Sequence, residues 1–129
     1  VTAAIIRNNE KVLIARRKRG DNNEFKWEFP GGKIEDNESP QECLKRELFE
    51  EFGIQTTVKE FVCSSKYDYG HIFIELQAYN VDYLSGDFNL VDHDLIKWVD
   101  MSELIEENLA EADIKIAKYL LDNKKSINH

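Results

Sequence analysis

Strand-like runs of apolar residues open the chain, over residues 1–7 and 11–17. The polar turn Asn8-Asn9-Glu10 separates them, so the two runs predict a β-hairpin. A charged, asparagine-containing loop from Lys18 to Asn23 follows. The later sequence Pro30-Gly31-Gly32 predicts a turn where the backbone can approach a ligand closely, because glycine has no Cβ.

Two long stretches in the second half, Ile54 to Tyr67 and His71 to Tyr83, are rich in β-branched and aromatic residues and predict strands. Leu95 to Val99 predicts another strand. A short helix from Ser102 and a last amphipathic helix from about Glu111 to Asn123 complete the pattern. This mixed order has neither strict βαβ alternation nor a repeat, so it predicts an α/β (α+β) sandwich with a mixed sheet and helices on both faces.

The best-marked helix of the chain is predicted over residues 40–52. Ser39 is a natural N-cap, Pro40 stands at the first helical position and Glu42 at the third completes a capping box. Gly53 lies just past the end, where a left-handed residue commonly terminates a helix.

Three carboxylates share one flank of this helix, beside the apolar stripe that should face the core. Glu47, Glu50 and Glu51 fall within a sector of roughly 100° on a helical wheel. Their mutual repulsion costs roughly 0.2–0.5 kcal/mol per pair, and Arg46 relieves only part of it. One interpretation is a solvated acidic face. The other is a divalent cation site, because oxygen ligands of this kind suit Mg²⁺ or Mn²⁺. The apolar stripe consists of Leu44, Leu48 and Phe52.

Composition limits the classes of function. A chain of 129 residues with 42% apolar content predicts one domain over residues 1–129. The net charge of −8 argues against nucleic-acid binding, which usually requires a surplus of Lys and Arg. Cys43 and Cys63 have neither a CxxC spacing nor the density of a disulfide framework, so both are expected to be reduced. His71, His93 and His129 form no local ligand pair, which argues against structural zinc.

The opening apolar stretch is short. Arg7 stops it well before the length of a signal-peptide core or a membrane span, so we expect a cytoplasmic protein without a membrane partner.

The segment Gly32 to Ile54 resembles the Nudix signature, in which glycine, five residues, Glu and seven residues precede Arg-Glu-aliphatic-x-Glu-Glu-x-Gly-aliphatic. Outside it, Trp-Glu-Phe-Pro-Gly-Gly before the signature and Val91-Asp92-His93-Asp94 before Trp98 are similar to the MutT-type branch, including CTP pyrophosphohydrolases. The resemblance covers nearly the whole chain. Every defined signature position is matched: Gly32, Glu38, Arg46, Glu47, Leu48, Glu50, Glu51, Gly53 and Ile54.

The resemblance implies an α/β/α sandwich whose signature forms a loop-helix-loop that carries Mg²⁺, with Mn²⁺ as a substitute. It implies that Glu50 and Glu51 are the main metal ligands, helped by the backbone carbonyl of Gly31. The late acidic position of the MutT-type branch is usually Glu and is Asp92 here, whose shorter side chain reaches a metal through water. Whether Asp92 replaces that glutamate stays open.

The same resemblance implies the catalytic and orienting groups. Glu47 is expected to be the general base or a further metal ligand, and Glu38 an accessory carboxylate. Arg46 is expected to orient these glutamates by ion pairing, which also fits its i,i+4 relation to Glu50.

Substrate contacts are expected from two groups of residues. The candidates to bind the phosphates are Lys33 and the basic run Arg16-Arg17-Lys18-Arg19. Within the run, Arg17 matches a substrate-contacting arginine of the MutT type. For the rest of the run, a solvated strand end is an equal alternative. Phe29, Tyr69 and Asp113 are candidates for a base pocket, although plain core packing is the better interpretation of the two aromatic residues.

These residues together predict a Mg²⁺-dependent hydrolase that cleaves a nucleoside triphosphate to a monophosphate and pyrophosphate, acting as a monomer or homodimer. Because an ionised Asp113 only accepts hydrogen bonds, CTP- or dCTP-like nucleotides and modified dNTPs such as 8-oxo-dGTP rank first. One alternative is a diadenosine polyphosphate hydrolase, which Tyr67 and Tyr69 suggest. A second is an ADP-ribose hydrolase, which is disfavoured because both prolines lie at or inside the signature. The third is a catalytically silent nucleotide sensor.

Overall fold

Six strands and two α-helices form the part of the chain that the computed structural model describes, residues 1–17 and 25–127, with side chains as far as residue 123. The predicted loop Lys18–Asn23 lies outside these residues. The strands are β1 (Thr2–Asn8), β2 (Lys11–Arg17), β3 (Trp27–Glu28), β4 (Gln55–Asp68), β5 (Phe73–Ser85) and β6 (His93–Asp100). The α-helices are α1 (Pro40–Phe52) and α2 (Glu111–Ile127), and a 3₁₀ helix covers Met101–Glu106.

The strands pair in the order β3-β2-β1-β5-β4, and β6 pairs with β2. β1 runs parallel to β5 and every other pair is antiparallel, so the predicted mixed sheet is confirmed. The predicted hairpin is also confirmed, but β1 and β2 pair only beside their turn, at Arg7↔Val12 and Asn8↔Lys11. Beyond that point β2 pairs with β6 along its length, and β1 pairs with β5.

Side chains of β1 alternate between two hydrophobic cores on opposite faces of the sheet. Ala3 and Ile5 belong to the core that α2 covers, whereas Ala4 and Ile6 belong to the core that α1 covers. This period of two places one helix on each face, because each face needs an apolar cover. The predicted helices on both faces are confirmed. The predicted apolar stripe of α1, formed by Leu44, Leu48 and Phe52, is fully buried.

The caps predicted for α1 are all present. The Ser39 side chain accepts from the Glu42 N–H at 3.1 Å, and the Glu42 carboxylate accepts from the Ser39 N–H at 2.9 Å. Gly53 has a φ of 69°, and its N–H donates to the carbonyl of Phe49 at 3.0 Å. Because both ends are fixed, the positions of the helix carboxylates relative to the sheet are fixed as well.

The C-terminal part differs from the prediction in detail. The predicted short helix from Ser102 is a 3₁₀ helix that Asp100 caps, and α2 begins at Glu111 as predicted but continues to Ile127. Cys43 is buried, Cys63 is half-buried, and both are free thiols, as expected. None of the helices in the described ranges is long and apolar enough to cross a membrane.

Candidate active site

The turn at Gly31 and Gly32 lies directly against β1. The Thr2 N–H donates to the carbonyl of Gly32 at 2.8 Å. A Cβ on Gly31 would lie 2.0 Å from the Thr2 carbonyl oxygen, and a Cβ on Gly32 would lie 2.4 Å from the carboxylate carbon of Glu47. Gly31 therefore requires glycine because its neighbour is backbone, whereas a side chain on Gly32 would displace the Glu47 carboxylate. Within the described ranges no hydrogen-bond donor reaches the carbonyl of Gly31, so this oxygen is available to a ligand.

Arg46 holds the first half of the acidic cluster, which we call the Arg46 network. Its Nε and Nη2 donate to the two carboxylate oxygens of Glu38 at 2.7 and 3.0 Å. Its Nη1 donates to Glu47 at 3.0 Å and to Glu50 at 3.2 Å, and Nη2 also reaches the carbonyl of Lys33 at 3.1 Å. These hydrogen bonds lower the pKa of Glu38 to about 2 and raise the pKa of Arg46. One cation therefore orders three glutamates and the signature loop.

The second half of the cluster, which we call the Glu51 pair, consists of Glu51 and Asp92. The carboxyl groups of Glu51 and Asp92 lie within hydrogen-bond reach, and burial, followed by this neighbour, raises the pKa of Glu51 to about 7. The Oε2 atom of Glu51 is buried and has no hydrogen-bond partner in the described part of the chain. Burial also raises the pKa of Glu47, which adds its charge to that around Glu51.

A divalent cation fits this pair of carboxylates. A buried carboxylate oxygen without a donor needs a counter-charge or a proton. No group of three His, Cys, Asp or Glu side chains forms a ready-made ligand set within residues 1–17 and 25–127. An ion such as Mg²⁺ typically takes one or two carboxylates and completes its shell with waters and substrate phosphates.

A buried network joins the Glu51 pair to β2 and β3. His93 follows Asp92 directly, is 4% exposed and places Nε2 2.8 Å from a carboxylate oxygen of Glu28. The Nε of Arg17 lies 3.3 Å from the same oxygen. The His93 ring stacks on Phe52 of α1, with centroids 5.1 Å apart. The loop that carries Asp92 is thereby fixed against both the sheet and the helix.

The start of α2 gathers the predicted base-pocket residues. Asp113 is 5% exposed and accepts the Phe29 N–H at 2.9 Å. Burial, followed by the charge of Glu28, raises the pKa of Asp113. The Tyr69 hydroxyl accepts the Ala112 N–H at 3.2 Å. Phe29 is 3% exposed and belongs to the core that α2 covers. Core packing, the favoured of the two interpretations of Phe29, therefore accounts for this residue.

This loop-helix-loop, with glycines against β1 and glutamates along α1, is the arrangement that the signature predicted. A family model described as the NUDIX domain matches residues 1–120. The chain belongs to the Nudix family.

Known proteins extend this assignment to nearly the full length. This Nudix chain is 38% identical to a CTP pyrophosphohydrolase of Escherichia coli (strain K12) over 116 aligned residues. The alignment covers 90% of this chain and 86% of the relative. The chain is 31% identical over 123 residues to an 8-oxo-dGTP diphosphatase of Haemophilus influenzae, covering 95% and 90%. The solution structure of the E. coli ORF135 protein matches with a TM-score of 0.87 and 35% identity, covering 98% of this chain and 90% of that one.

The predicted cations of the Nudix site are largely engaged by acids. Arg16 donates to both carboxylate oxygens of Asp94, at 2.9 and 2.8 Å, and Arg17 contacts Glu28. Lys33 is exposed beside the signature helix. The remaining members of the predicted basic run, Lys18 and Arg19, lie outside the described residues.

Two neighbours of the site were missed by the sequence interpretation. Glu28 was treated only as part of the segment before the glycines, and His93 only as a histidine without a local partner. They are 65 residues apart in sequence and meet because β2 pairs with both β3 and β6. The available signal was the location of Glu28 and His93 in two segments that both resemble the MutT-type branch.

Proposed function

We propose that this Nudix protein is a Mg²⁺-dependent pyrophosphohydrolase that converts a nucleoside triphosphate to a monophosphate and pyrophosphate, with Mn²⁺ as a substitute. The observation that carries the proposal is the buried Oε2 of Glu51, which has no donor among the described residues and lies beside a second carboxylate, Asp92. Family membership supports the reaction class, because Nudix relatives are named pyrophosphohydrolases and diphosphatases.

The proposed metal ligands are Glu51, Asp92, the Gly31 carbonyl and Glu50. The carbonyl and the buried Glu51 oxygen have no other partner in the described part of the chain, which suits them to this role. When bound, divalent ions neutralise phosphate charge and acidify a water. The 55% exposed side chain of Glu50 lies at the open side of the cluster, where it can reach an ion that is also bound to substrate.

Glu47 is the proposed general base, with Arg46 and Glu38 as the groups that hold it. Burial raises the pKa of Glu47, and a carboxylate with raised proton affinity accepts a proton from water more readily. Its position is fixed from two sides, by the Arg46 Nη1 and by the bare Cα of Gly32. This restraint leaves the carboxylate few orientations, as a positioned base requires.

We propose a base pocket at the start of α2, with Asp113 and Tyr69 at its polar edge and Arg17 and Lys33 serving the phosphates. Asp113 uses one oxygen for the Phe29 N–H, so its other oxygen can recognise a base edge. An ionised carboxylate accepts from the exocyclic amino group of cytosine, and a protonated one also donates. The names of the relatives agree with either a CTP-like or an 8-oxo-dGTP substrate.

A nucleotide panel with phosphate release coupled to inorganic pyrophosphatase tests the proposal. The panel contains CTP, dCTP, 5-methyl-dCTP, 8-oxo-dGTP and dGTP, with diadenosine tetraphosphate and ADP-ribose as the competing classes. We expect Mg²⁺-dependent turnover of a cytosine or oxidised nucleotide that EDTA abolishes. Turnover only of diadenosine tetraphosphate or ADP-ribose would reassign the substrate, and no metal-dependent turnover at all would favour a silent nucleotide sensor.

A further inference from the structure

The hydroxyl of Thr2 is buried at the back of the glycine turn. Thr2 is 1% exposed, and its Oγ1 donates to the Gly32 carbonyl at 3.0 Å. The same oxygen accepts the Gly32 N–H at 3.4 Å. Together with the 2.8 Å hydrogen bond from the Thr2 N–H, three contacts from one residue of β1 restrain the two peptide groups on either side of the Gly32 Cα.

The thiol of Cys43 restrains the same turn from α1. Its Sγ lies 3.4 Å from Thr2 Oγ1, and its single S–H has the carbonyls of Lys33, at 3.3 Å, and Gly32, at 3.6 Å, as acceptors within reach. Burial raises the pKa of the Cys43 thiol, which keeps it a neutral donor. The hydroxyl and thiol therefore connect β1, the turn and the helix at one buried point.

The restrained Gly32 lies next to two groups at the front of the turn. The Gly31 carbonyl, which shares a peptide group with the Gly32 N–H, has no donor in the described ranges. An added Cβ on Gly32 would be 2.4 Å from the carboxylate carbon of Glu47, so this carboxylate packs beside the Gly32 Cα. A shift of Gly32 by a few tenths of an ångström would therefore move the carbonyl and change the packing beside the base.

We infer that Thr2 and Cys43 are positioning residues for the cation site, acting through Gly32 on the Gly31 carbonyl and the Glu47 carboxylate. This inference rests on the proposed function, because it assigns those two groups to metal and base. Residues that orient metal ligands from behind typically change metal affinity or activity by about 10–100-fold when replaced.

The chain contains a matched control for each residue. Thr56 is also a buried threonine, 2% exposed on β4, but its hydroxyl has no hydrogen-bond partner among the described residues. Cys63 is the second free cysteine and lies on β4, away from the turn. Comparison of Thr2→Val with Thr56→Val, and of Cys43→Ala with Cys63→Ala, separates positioning from the general effect of removing a buried hydroxyl or thiol.

The experiment measures Mn²⁺ binding by electron paramagnetic resonance and, in the metal-free proteins, amide hydrogen exchange at Gly32 and Lys33. We expect T2V to bind Mn²⁺ about tenfold more weakly and to exchange the Gly32 amide about tenfold faster, with a smaller effect of C43A. T2S, which restores the hydroxyl, should recover both, and T56V and C63A should match the wild type. In a hydrolysis assay, T2V should increase the Mg²⁺ concentration that gives half the maximal rate. The fold-change in this concentration should exceed the fold-decrease in the rate at saturating Mg²⁺.

Each outcome decides a different statement. Wild-type Mn²⁺ affinity and wild-type Gly32 exchange in folded T2V would overturn the positioning role alone. If T2V does not fold, T2S and C43A carry the test, and wild-type Mn²⁺ affinity and wild-type Gly32 exchange in C43A, or a large loss of Mn²⁺ affinity in T2S although it keeps the hydroxyl, would overturn it. Absence of Mn²⁺ binding by the wild-type protein would overturn the proposed function, and the inference with it.

Discussion

Both halves of the acidic cluster include glutamates of α1, with Glu47 and Glu50 in one and Glu51 in the other, and they differ in how their charge is balanced. In the Arg46 network, one guanidinium pairs with Glu38, Glu47 and Glu50, and the pKa of Glu38 falls to about 2. In the Glu51 pair, two carboxyl groups face each other and the pKa of Glu51 rises to about 7. Two glutamates of the signature, Glu38 before α1 and Glu51 within it, thus have pKa values shifted in opposite directions, the first lowered by Arg46 and the second raised by burial.

This difference indicates a division of labour. A carboxylate with both oxygens paired to a cation is oriented but has little capacity left for another ion, whereas a buried carboxylate oxygen without a partner gains most from binding a cation. We therefore assign orientation to Arg46 and Glu38, and cation binding to the Glu51 pair with Glu50, which Arg46 contacts through Oε2. Glu47 is common to both halves, because it accepts from Arg46 and adds its charge to that around Glu51.

The largest expected effect comes from Glu51→Gln. Glutamine keeps the size but not the charge, so we expect the hydrolysis rate to fall by about a thousandfold or more while the fold remains intact. Glu50→Gln should also lose orders of magnitude in rate. The measurement is steady-state turnover together with a thermal melt. Near-normal turnover in both variants would contradict the ligand assignment, and Glu106→Gln, an exposed glutamate of the 3₁₀ helix, is the charge control.

Arg46→Lys should have the next largest effect. A lysine cannot reproduce the two-pronged contact with Glu38 or reach Glu47 and Glu50 at the same time, so we expect about a hundredfold loss in kcat. The melting temperature should fall by roughly 4–8 °C, which corresponds to about 1–2 kcal/mol in a chain of this length. Arg16→Lys, which removes a similar exposed pair with Asp94, is the control. Equal effects of the two substitutions would remove the special role of Arg46.

The dependence of metal affinity on pH is expected to be smaller and distinguishes the two halves. Because an ion needs the ionised form of Glu51, whose pKa is about 7, Mn²⁺ affinity should fall by up to about tenfold per pH unit below that value and level off above it. Glu38, with a pKa of about 2, should contribute no slope in this range. Titrations at pH 6, 7 and 8 measure the effect, and an affinity independent of pH would contradict it.

The stability of the metal-free protein should fall as the pH rises, whereas metal affinity should increase. The folded-state pKa of Glu51 is raised, so the folded state binds more protons than the unfolded state between the ordinary value of 4.5 and about 7, and stability falls as pH rises through that window. E51Q removes this term. Its metal-free melting temperature at pH 8 should therefore exceed that of the wild type by roughly 4 °C, about 1 kcal/mol. A lower melting temperature at pH 8 would show that the Glu51 charge is already compensated.

The smallest effect is expected from Glu38→Gln. Arg46 would keep Glu47, Glu50 and the Lys33 carbonyl, so the rate should fall by about tenfold or less. E38Q should lower the stability of the folded protein by its full amount above pH 4.5, where the depressed pKa of Glu38 contributes stability. The difference from the wild type should shrink as the pH falls toward 2. A loss as large as that of E51Q would indicate that Glu38 binds the ion itself.

Much of the fold was predictable because it depends on local signals. Ser39, Pro40, Glu42 and Gly53 fix the bounds of α1 by capping chemistry that operates within a few residues. The apolar runs on either side of Asn8-Asn9-Glu10 predicted the hairpin, and the helical wheel placed Glu47, Glu50 and Glu51 on one flank of α1. The mixed sheet and the helix on each face followed from the order of these elements.

The parts that were missed depend on contacts between distant segments. Nothing local in Glu28 or His93 shows that strand pairing places them 2.8 Å apart. The division of the glutamates into a paired and an unbalanced half was also beyond the sequence pattern, because it depends on which carboxylates the Arg46 side chain can reach. For Phe29 the sequence left two interpretations and favoured core packing, and the burial of the residue beneath α2 agrees with that choice.

The most direct test of a cation bound by the Glu51 pair is anomalous diffraction from a crystal soaked in Mn²⁺ at pH 8. The account predicts a peak about 2.0–2.3 Å from a carboxylate oxygen of Glu51, close to the Gly31 carbonyl, and no peak there in E51Q crystals treated in the same way. A wild-type crystal with no peak at Glu51, or with the ion bound only to Glu38, would contradict it.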